Sequence, residues 1–230
     1  RANLAFHTEV PLDQVYREGI TKVSAEQMAA AKRDGYVIKL LAIAERVDAD
    51  ENGVAGVSVR VHPALIERDH PLGAVHGAFN AVFVEAEAAG SLMFYGAGAG
   101  GVQTASAVLG DLVSAAKRHV AGGPGLADSV HANLAILPID RAYTRYQISL
   151  EVTDQPGILA KIANVFADHG VSIETVEQSV RQSGGKRRST ATLEVGTHVA
   201  TDASLSSVVA ALAANAAVES ITSVIRVEGI

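Results

Sequence analysis

Residues 154–178, DQPGILAKIANVFADHGVSIETVEQ, decide how the C-terminal third of this 230-residue chain folds. Ile158, Ile162, Val165 and Phe166 recur at the spacing of one helix face. Just before them, Pro156 suits the first helical position, where its missing N–H costs nothing, and Asp154 or Gln155 stands near the cap. Gly157 removes the side chain that would hold a ligand away from the backbone. A helix starting here presents unpaired N–H groups and a positive dipole end, which suit a carboxylate. By spacing alone, an amino-acid site and a plain helix start both remain open.

Working outward, Tyr146, Ile148, Leu150 and Val152 alternate with Gln147, Ser149 and Glu151, the pattern of a half-buried strand. Val171 to Val180 reads as a second strand, and its apolar parity shifts between Ile173 and Val176, predicting a bulge. Ser183-Gly184-Gly185-Lys186 is a hairpin turn, Ala191, Leu193 and Val195 mark a third strand, and Leu205, Val208, Val209 and Leu212 a second helix. Ile221, Ile225 and Val227 close with a fourth strand. The order βαββαβ is the ferredoxin-like split arrangement, with two helices on one sheet face.

Toward the N-terminus, residues 11–20 and 24–33 read as short helices. Ser24 is the N-cap of the second, Gln27 completes a capping box, and Gly35 ends it. Strand candidates follow at 36–47, 54–66, 78–86 and 90–95, separated by turns at 48–53 and at His70-Pro71-Leu72-Gly73. They suggest an antiparallel sheet preceded by helices. A glycine-rich loop at 96–101 leads into a helix at 103–118, and Ala121-Gly122-Gly123-Pro124-Gly125 opens a stretch without strong periodicity. The expected class is α+β, with residues 1–118 as one domain, 119–145 as a linker and 146–230 as the ferredoxin-like domain.

Hydrophobic residues make up 48% and charged residues 19%, the balance of a chain that buries real cores. The formal charge of −6 leaves no basic footprint for nucleic acid, and charged residues interrupt every apolar run before it could span a bilayer. Cysteine is absent, which excludes disulfides, thiol catalysis and cysteine metal sites. His7, His62, His70, His76, His119, His131, His169 and His198 are scattered without ligand spacing, so no metal site is expected. Lys186-Arg187-Arg188 reads as a solvated hairpin tip. The opening Arg1-Ala2-Asn3-Leu4-Ala5-Phe6 looks like the end of an apolar helix, so further residues are expected upstream; with no signal-peptide pattern, the location expected is the cytoplasm.

Gly96-Ala97-Gly98-Ala99-Gly100-Gly101 formally satisfies the dinucleotide fingerprint G-x-G-x-x-G. That fingerprint requires a second parallel strand ending in an acidic residue, whereas the helix here runs into Gly122-Gly123-Pro124-Gly125. A tight strand-to-helix turn is the better reading.

Two resemblances sharpen these alternatives. Residues 146–230, headed by DQPGILAKIANVFADHGVSIETVEQ, resemble an ACT domain, a family that binds small amino acids at the interface of paired domains. The resemblance implies that Asp154, Gln155, Pro156, Gly157 and Ile158 contact an effector, with Val171, Ser172 and Ile173 opposite. Residues 72–113, LGAVHGAFNAVFVEAEAAGSLMFYGAGAGGVQTASAVLGDLV, resemble homoserine dehydrogenase, and the likeness reaches back to AFHTEVPLDQVYREGITKV and GYVIKLLAIAE.

In that family the GAGAG turn lies beside the bound cofactor. Gly100 is then the position implied to touch the nicotinamide nucleotide, with Thr104 and Ser106 as weaker candidates. The family's catalytic Lys and Asp and its Rossmann glycines belong upstream of Arg1, so no catalytic residue is expected in this chain, and Glu18 takes no substrate role.

The resemblance implies the C-terminal part of an NAD(P)-dependent enzyme that interconverts L-homoserine and L-aspartate 4-semialdehyde, on the route to threonine and methionine. The chain alone is expected to be inactive and to hold no cofactor. It would form a homo-oligomer, dimer or tetramer, with threonine as allosteric effector. A free-standing amino-acid-binding regulator and an oligomerisation module without a ligand are the rival readings.

Overall fold

The computed structural model describes residues 2–49, 54–123, 129–181 and 190–229. The first half runs α1 (Ala2–Phe6), a 3-10 turn (Leu12–Gln14), β1 (Tyr16–Arg17), α2 (Ala25–Arg33), β2 (Tyr36–Val47), β3 (Gly56–Glu67), a 3-10 turn (Pro71–Ala74), β4 (Phe79–Ala86), β5 (Gly90–Ala97) and α3 (Gly101–Ala121). The second half runs β6 (Ala135–Leu137), a 3-10 turn (Ile139–Arg141), β7 (Tyr143–Thr153), α4 (Ile158–Asp168), β8 (Ile173–Arg181), β9 (Thr190–Thr197), β10 (Ala200–Thr201), α5 (Asp202–Ala214) and β11 (Val218–Glu228). The chain divides into two compact units, residues 1–66 with 130–230, and residues 67–129.

The larger unit holds a nine-stranded sheet. Its C-terminal part is ordered β11-β7-β9-β8, with every neighbouring pair antiparallel. This is the ferredoxin-like βαββαβ topology that the hydrophobic periods predict. Tyr146, Ile148, Leu150 and Val152 on β7 and Ala191, Leu193 and Val195 on β9 point to one face, as alternate residues of a pleated strand must. There they meet Ile162 and Phe166 of α4 and Leu205, Val208 and Leu212 of α5. The expected bulge in β8 lies between Ile173 and Thr175.

The sheet continues past β11. Arg226, Val227 and Glu228 pair in parallel with Ala64, Leu65 and Ile66 of β3. β3 in turn pairs in parallel with β1 and β6, and also with β2. Nearly every residue of β3 is buried, the signature of a strand covered on both faces. The four strands expected from residues 36–95 therefore do not lie in one sheet: β2 and β3 join the nine-stranded sheet, and β4 and β5 pair as a hairpin of their own.

Two local expectations change. Residues 11–20 form no α-helix. Pro11 opens a single 3-10 turn, after which Tyr16 and Arg17 align with Arg60 and Val61 and the Glu18 amide donates to the Val61 carbonyl at 2.8 Å. Pairing with a buried strand outweighs a weak local helix preference. Within 119–145, α3 reaches Ala121 and stops at Gly122 (φ 71°), and Ala135–Leu137 forms a strand on β3. The capping box at Ser24 is present, with the Gln27 amide on Ser24 Oγ at 3.2 Å and the Ser24 amide on Gln27 Oε1 at 2.8 Å. The turn at Ser183-Gly184-Gly185-Lys186, the run Lys186-Arg187-Arg188, and parts of the turns at 48–53 and 121–125 lie outside the described residues.

The smaller unit is apolar and open. The β4–β5 hairpin carries Phe79 stacked on Tyr95, ring centroids 4.9 Å apart. Phe94, Leu92 and Met93 on β5 and Val108, Leu109, Leu112 and Val113 on α3 are all exposed. Apolar surface of this extent marks a place where another surface packs.

β3 also buries charge. Arg60 and His62 project from it with 2% and 0% exposure. His62 Nδ1 donates to the Pro63 carbonyl at 3.1 Å, which leaves the Nε2 lone pair 3.6 Å from Glu228 Oε1. Burial pushes His62 down to about 4, helped by the positive Arg226 and Arg60, and opposed by the Pro63 carbonyl and Glu18. Between pH 6.5 and 4 the unfolded chain then binds the proton that folded His62 refuses, so acidification favours unfolding. That loss amounts to about 3 kcal/mol across the window. Glu228, raised mainly by burial, binds its proton more readily when folded and offsets part of the loss. Denaturant titrations at pH 7.5 and 5 are expected to show lower stability at pH 5, with a smaller difference in His62→Gln. An equal pH dependence in both proteins would assign the effect to other groups.

Candidate functional site

The ferredoxin-like sheet ends, on its β7 side, in the loop that leads to α4. The Ile158 amide donates to the Gln155 carbonyl at 3.3 Å, and Gly157 sits at φ 87°, ψ −3°. These are the marks of a type II turn with Pro156 and Gly157 at its centre, and they explain the order Pro-Gly: proline presets the first central residue and only glycine takes the second cheaply. Pro156 is thus not the first helical residue, as its position in the sequence suggests. Gly157 is the N-cap, and the helix begins at Ile158.

A glycine N-cap brings no side chain to the helix end. The Gly157 carbonyl takes the Lys161 amide at 3.2 Å, while the amides of Leu159 and Ala160 have no partner among the described residues. They face an anion-binding geometry. A Cβ built on Gly157 meets nothing within 4 Å, so the space over the turn is open. A cavity of about 220 Å³ lies here, lined by Val152 to Leu159 together with Gln178 and Leu193.

Asp154, Gln155, Pro156, Gly157 and Ile158 are therefore gathered on one cavity. Val171, Ser172 and Ile173 are not. They follow the other end of α4, which at 11 residues is about 16 Å long. Gly170 (φ 68°) closes that end, its amide on the Ala167 carbonyl at 3.0 Å and the Val171 amide on the Phe166 carbonyl at 3.0 Å. This is a Schellman closure, and its apolar residue turns inward. The Val171 side chain accordingly lies in the core at 4% exposure rather than on a ligand surface. Ser172 is exposed, and its carbonyl accepts from the His198 amide at 2.9 Å.

Gln178, Leu193 and Leu159 also line the cavity, although spacing along the chain assigns none of them to a site. Gln178 and Leu193 are paired across β8 and β9, a neighbourhood that exists only once the strand order is known.

The glycine-rich turn belongs to the smaller unit. Gly96 is the penultimate residue of β5, the Gly98 amide donates to the Ala78 carbonyl at 2.9 Å, and Gly100 (φ 138°) is the N-cap of α3 without a side-chain bond. The positive φ at Gly100 favours glycine there, while a Cβ on Gly98 would displace the flexible end of Asn80 and one on Gly100 that of Gln103. Gly100 thus brings no side chain of its own to the start of a 21-residue helix, an arrangement that fits a phosphate or nucleotide edge. Thr104 follows on the first turn, its amide on the Gly100 carbonyl at 2.9 Å. Ser106 lies about 200° further round the helix, so the two hydroxyls do not share a face.

Among the described residues, no group of three or more His, Asp or Glu side chains is placed to hold a metal ion, and no helix is long and apolar enough to cross a membrane.

Comparison with known proteins gives the family of each segment. Residues 1–113 match the family model for homoserine dehydrogenase, and residues 146–217 that for the ACT domain. A homoserine dehydrogenase of Mycobacterium bovis is 53% identical over 228 residues, covering 99% of this chain and 52% of that protein. One from Corynebacterium glutamicum is 47% identical, covering 99% of this chain and 49% of its own length. The crystal structure of a homoserine dehydrogenase from Thiobacillus denitrificans superposes with a TM-score of 0.84 at 33% identity, over 99% of this chain and 50% of that one. The chain thus spans about half the length of the relatives it matches.

Proposed function

The chain belongs to the homoserine dehydrogenase family and carries an ACT domain, and from that premise we propose that it is the C-terminal part of an NAD(P)-dependent homoserine dehydrogenase under feedback control by an amino acid. The reaction interconverts L-homoserine and L-aspartate 4-semialdehyde, on the route to threonine and methionine in the cytoplasm. The nicotinamide cofactor supplies hydride transfer. This chain contributes one edge of its site: the bare backbone at Gly100 and the first turn of α3 with Thr104, while Ser106 lies on another face of the helix. Residues 1–118 form the dehydrogenase segment, 119–145 connect, and 146–230 sense the effector. The exposed apolar hairpin and α3 pack against a second copy in a homo-oligomer.

The observation that carries the regulatory reading is the type II turn at Pro156-Gly157, which leaves α4 uncapped beneath open space. The carboxylate of a free amino acid meets the Leu159 and Ala160 amides, and the Asp154 carboxylate is the complement of its ammonium group. The segment Val171–Ile173, through its main chain and the Ser172 hydroxyl, lies too far along α4 to reach the same ligand within one domain. It completes the site only when a second ACT domain docks. L-Threonine, the pathway's end product, is the effector proposed.

Thermal unfolding against a panel of amino acids tests this. L-Threonine at about 100 times its Kd is expected to stabilise the chain by about 2.7 kcal/mol, and a panel that leaves the transition unmoved would favour a purely structural module. The chain by itself is expected to show no turnover of L-homoserine with NADP, because no residue in it is assigned to the acid–base chemistry. Measurable NADPH formation would place that chemistry within these residues.

A further inference from the structure

One strand, β11, runs from the sensing loop to the dehydrogenase segment. At its start, β11 is tied to the loop: the Thr153 amide donates to the Ala217 carbonyl at 3.3 Å, and Val218 pairs with Val152. At its far end, about 26 Å on, β11 enters a seam of buried charge. Arg226 Nε donates to Asp202 Oδ1 at 2.9 Å, at the first turn of α5, and Asp202 also accepts from the Tyr146 hydroxyl at 2.8 Å. Arg226 Nη1 reaches across to Glu18 Oε2 at 3.0 Å, just beyond β1, and the guanidinium lies over the Tyr16 and Tyr146 rings, 5.2 and 5.4 Å from their centroids. Two residues on, Glu228 accepts from Thr144 Oγ1 at 3.2 Å and from Arg60 of β3 at 3.4 Å, and Arg60 extends to Glu45 of β2 at 2.9 Å.

Between loop and seam, β11 changes register against β7 twice, at Val218/Ser220 and at Ile221/Ser223. Such irregularities are where a strand alters its bend. The second is held from the dehydrogenase side: Gln27, the capping-box residue of α2, donates to Ser223 Oγ at 2.8 Å.

We propose that β11 transmits effector binding from the α4 loop to β1, β2 and β3, and that Arg226 is the positioning residue that couples the two ends. The inference rests on the loop's being the effector site. Its physical basis is the contrast between contacts. Apolar side chains slide past one another at little cost, whereas a buried, hydrogen-bonded charge cannot leave its partner partway without a large penalty. A shift of β11 that passes its two register changes must therefore move Glu18 and Arg60 with it, or break the seam outright.

Hydrogen exchange of the 230-residue chain with and without L-threonine tests the coupling. In the wild type, L-threonine is expected to slow exchange at Thr153–Ala160 and also to change exchange at Glu18 and along β3 by about fivefold or more. In Glu18→Gln and in Arg226→Lys the local protection is expected to persist while the remote change falls below about twofold. Neither variant touches the loop, and each retains a polar partner in the seam, so local protection reports that the protein is folded. Local protection without any remote change in the wild type overturns the transmission and leaves the effector site standing. A remote change of equal size in both variants overturns the role of Arg226. No protection at the loop overturns the effector reading and this inference with it.

Discussion

Replacing Arg226 by methionine is expected to lower the unfolding free energy by about 3–5 kcal/mol, the cost of breaking a buried ion pair from one side. Methionine fills much of the volume, so the penalty comes from charge. Asp202 is 2% exposed and would keep the Tyr146 and Ser206 hydroxyls but lose its cation. Glu18, more exposed, is the smaller contributor because water reaches it. Asp202 also lies at the N-terminal end of α5, where the helix dipole favours its negative charge, which places the expected value toward the lower end of the range. Urea titration measures the effect. Arg226→Met combined with Asp202→Asn is expected to be more stable than the sum of the two single changes, since the second removes the charge the first leaves stranded. A loss below about 1 kcal/mol would mean that the seam is well solvated in solution.

Gly157→Val is expected to weaken L-threonine binding by two orders of magnitude or more, about 3 kcal/mol. Two effects act together. The backbone at φ 87° is one that a β-branched residue adopts only with strain of about 1–3 kcal/mol, so the turn that exposes the Leu159 and Ala160 amides is itself disfavoured. The side chain would also project into the open space over the turn, where a Cβ now meets nothing. Because that space is empty of protein atoms, the variant is expected to fold, with a lower melting temperature. Titration calorimetry reads the affinity directly, and an unchanged Kd would remove the turn from the effector site.

How far the sequence alone carries differs from element to element. The βαββαβ order could be read directly, because alternation on β7 and β9 and helical recurrence on α4 and α5 each report a single buried face. Even the β8 bulge announced itself through the parity shift after Ile173. The segment 11–20 misled because its helical pattern is weak and the decisive partner, β3, lies more than 40 positions away. Pro156 misled by one turn type. Both a helix start and a type II turn accept proline there, and only the left-handed Gly157 separates them. On β3, alternation would place Ser58, Arg60 and His62 on a solvent face, yet all three are buried.

What the linear chain determined by itself is the local grammar: the capping box at Ser24, the strand and helix periods of residues 146–227, the Pro-Gly loop that leaves a helix end bare, and the likeness to a known enzyme family. These follow from interactions between near neighbours, whose geometry is set within a few residues. Tertiary structure alone decided that β11 lies beside β3, that Arg226 meets Glu18 across 208 positions, and that the two proposed halves of the effector site stand at opposite ends of α4. Contacts of that kind depend on which surfaces are left to be buried after the local elements have formed, and no spacing along the chain records them.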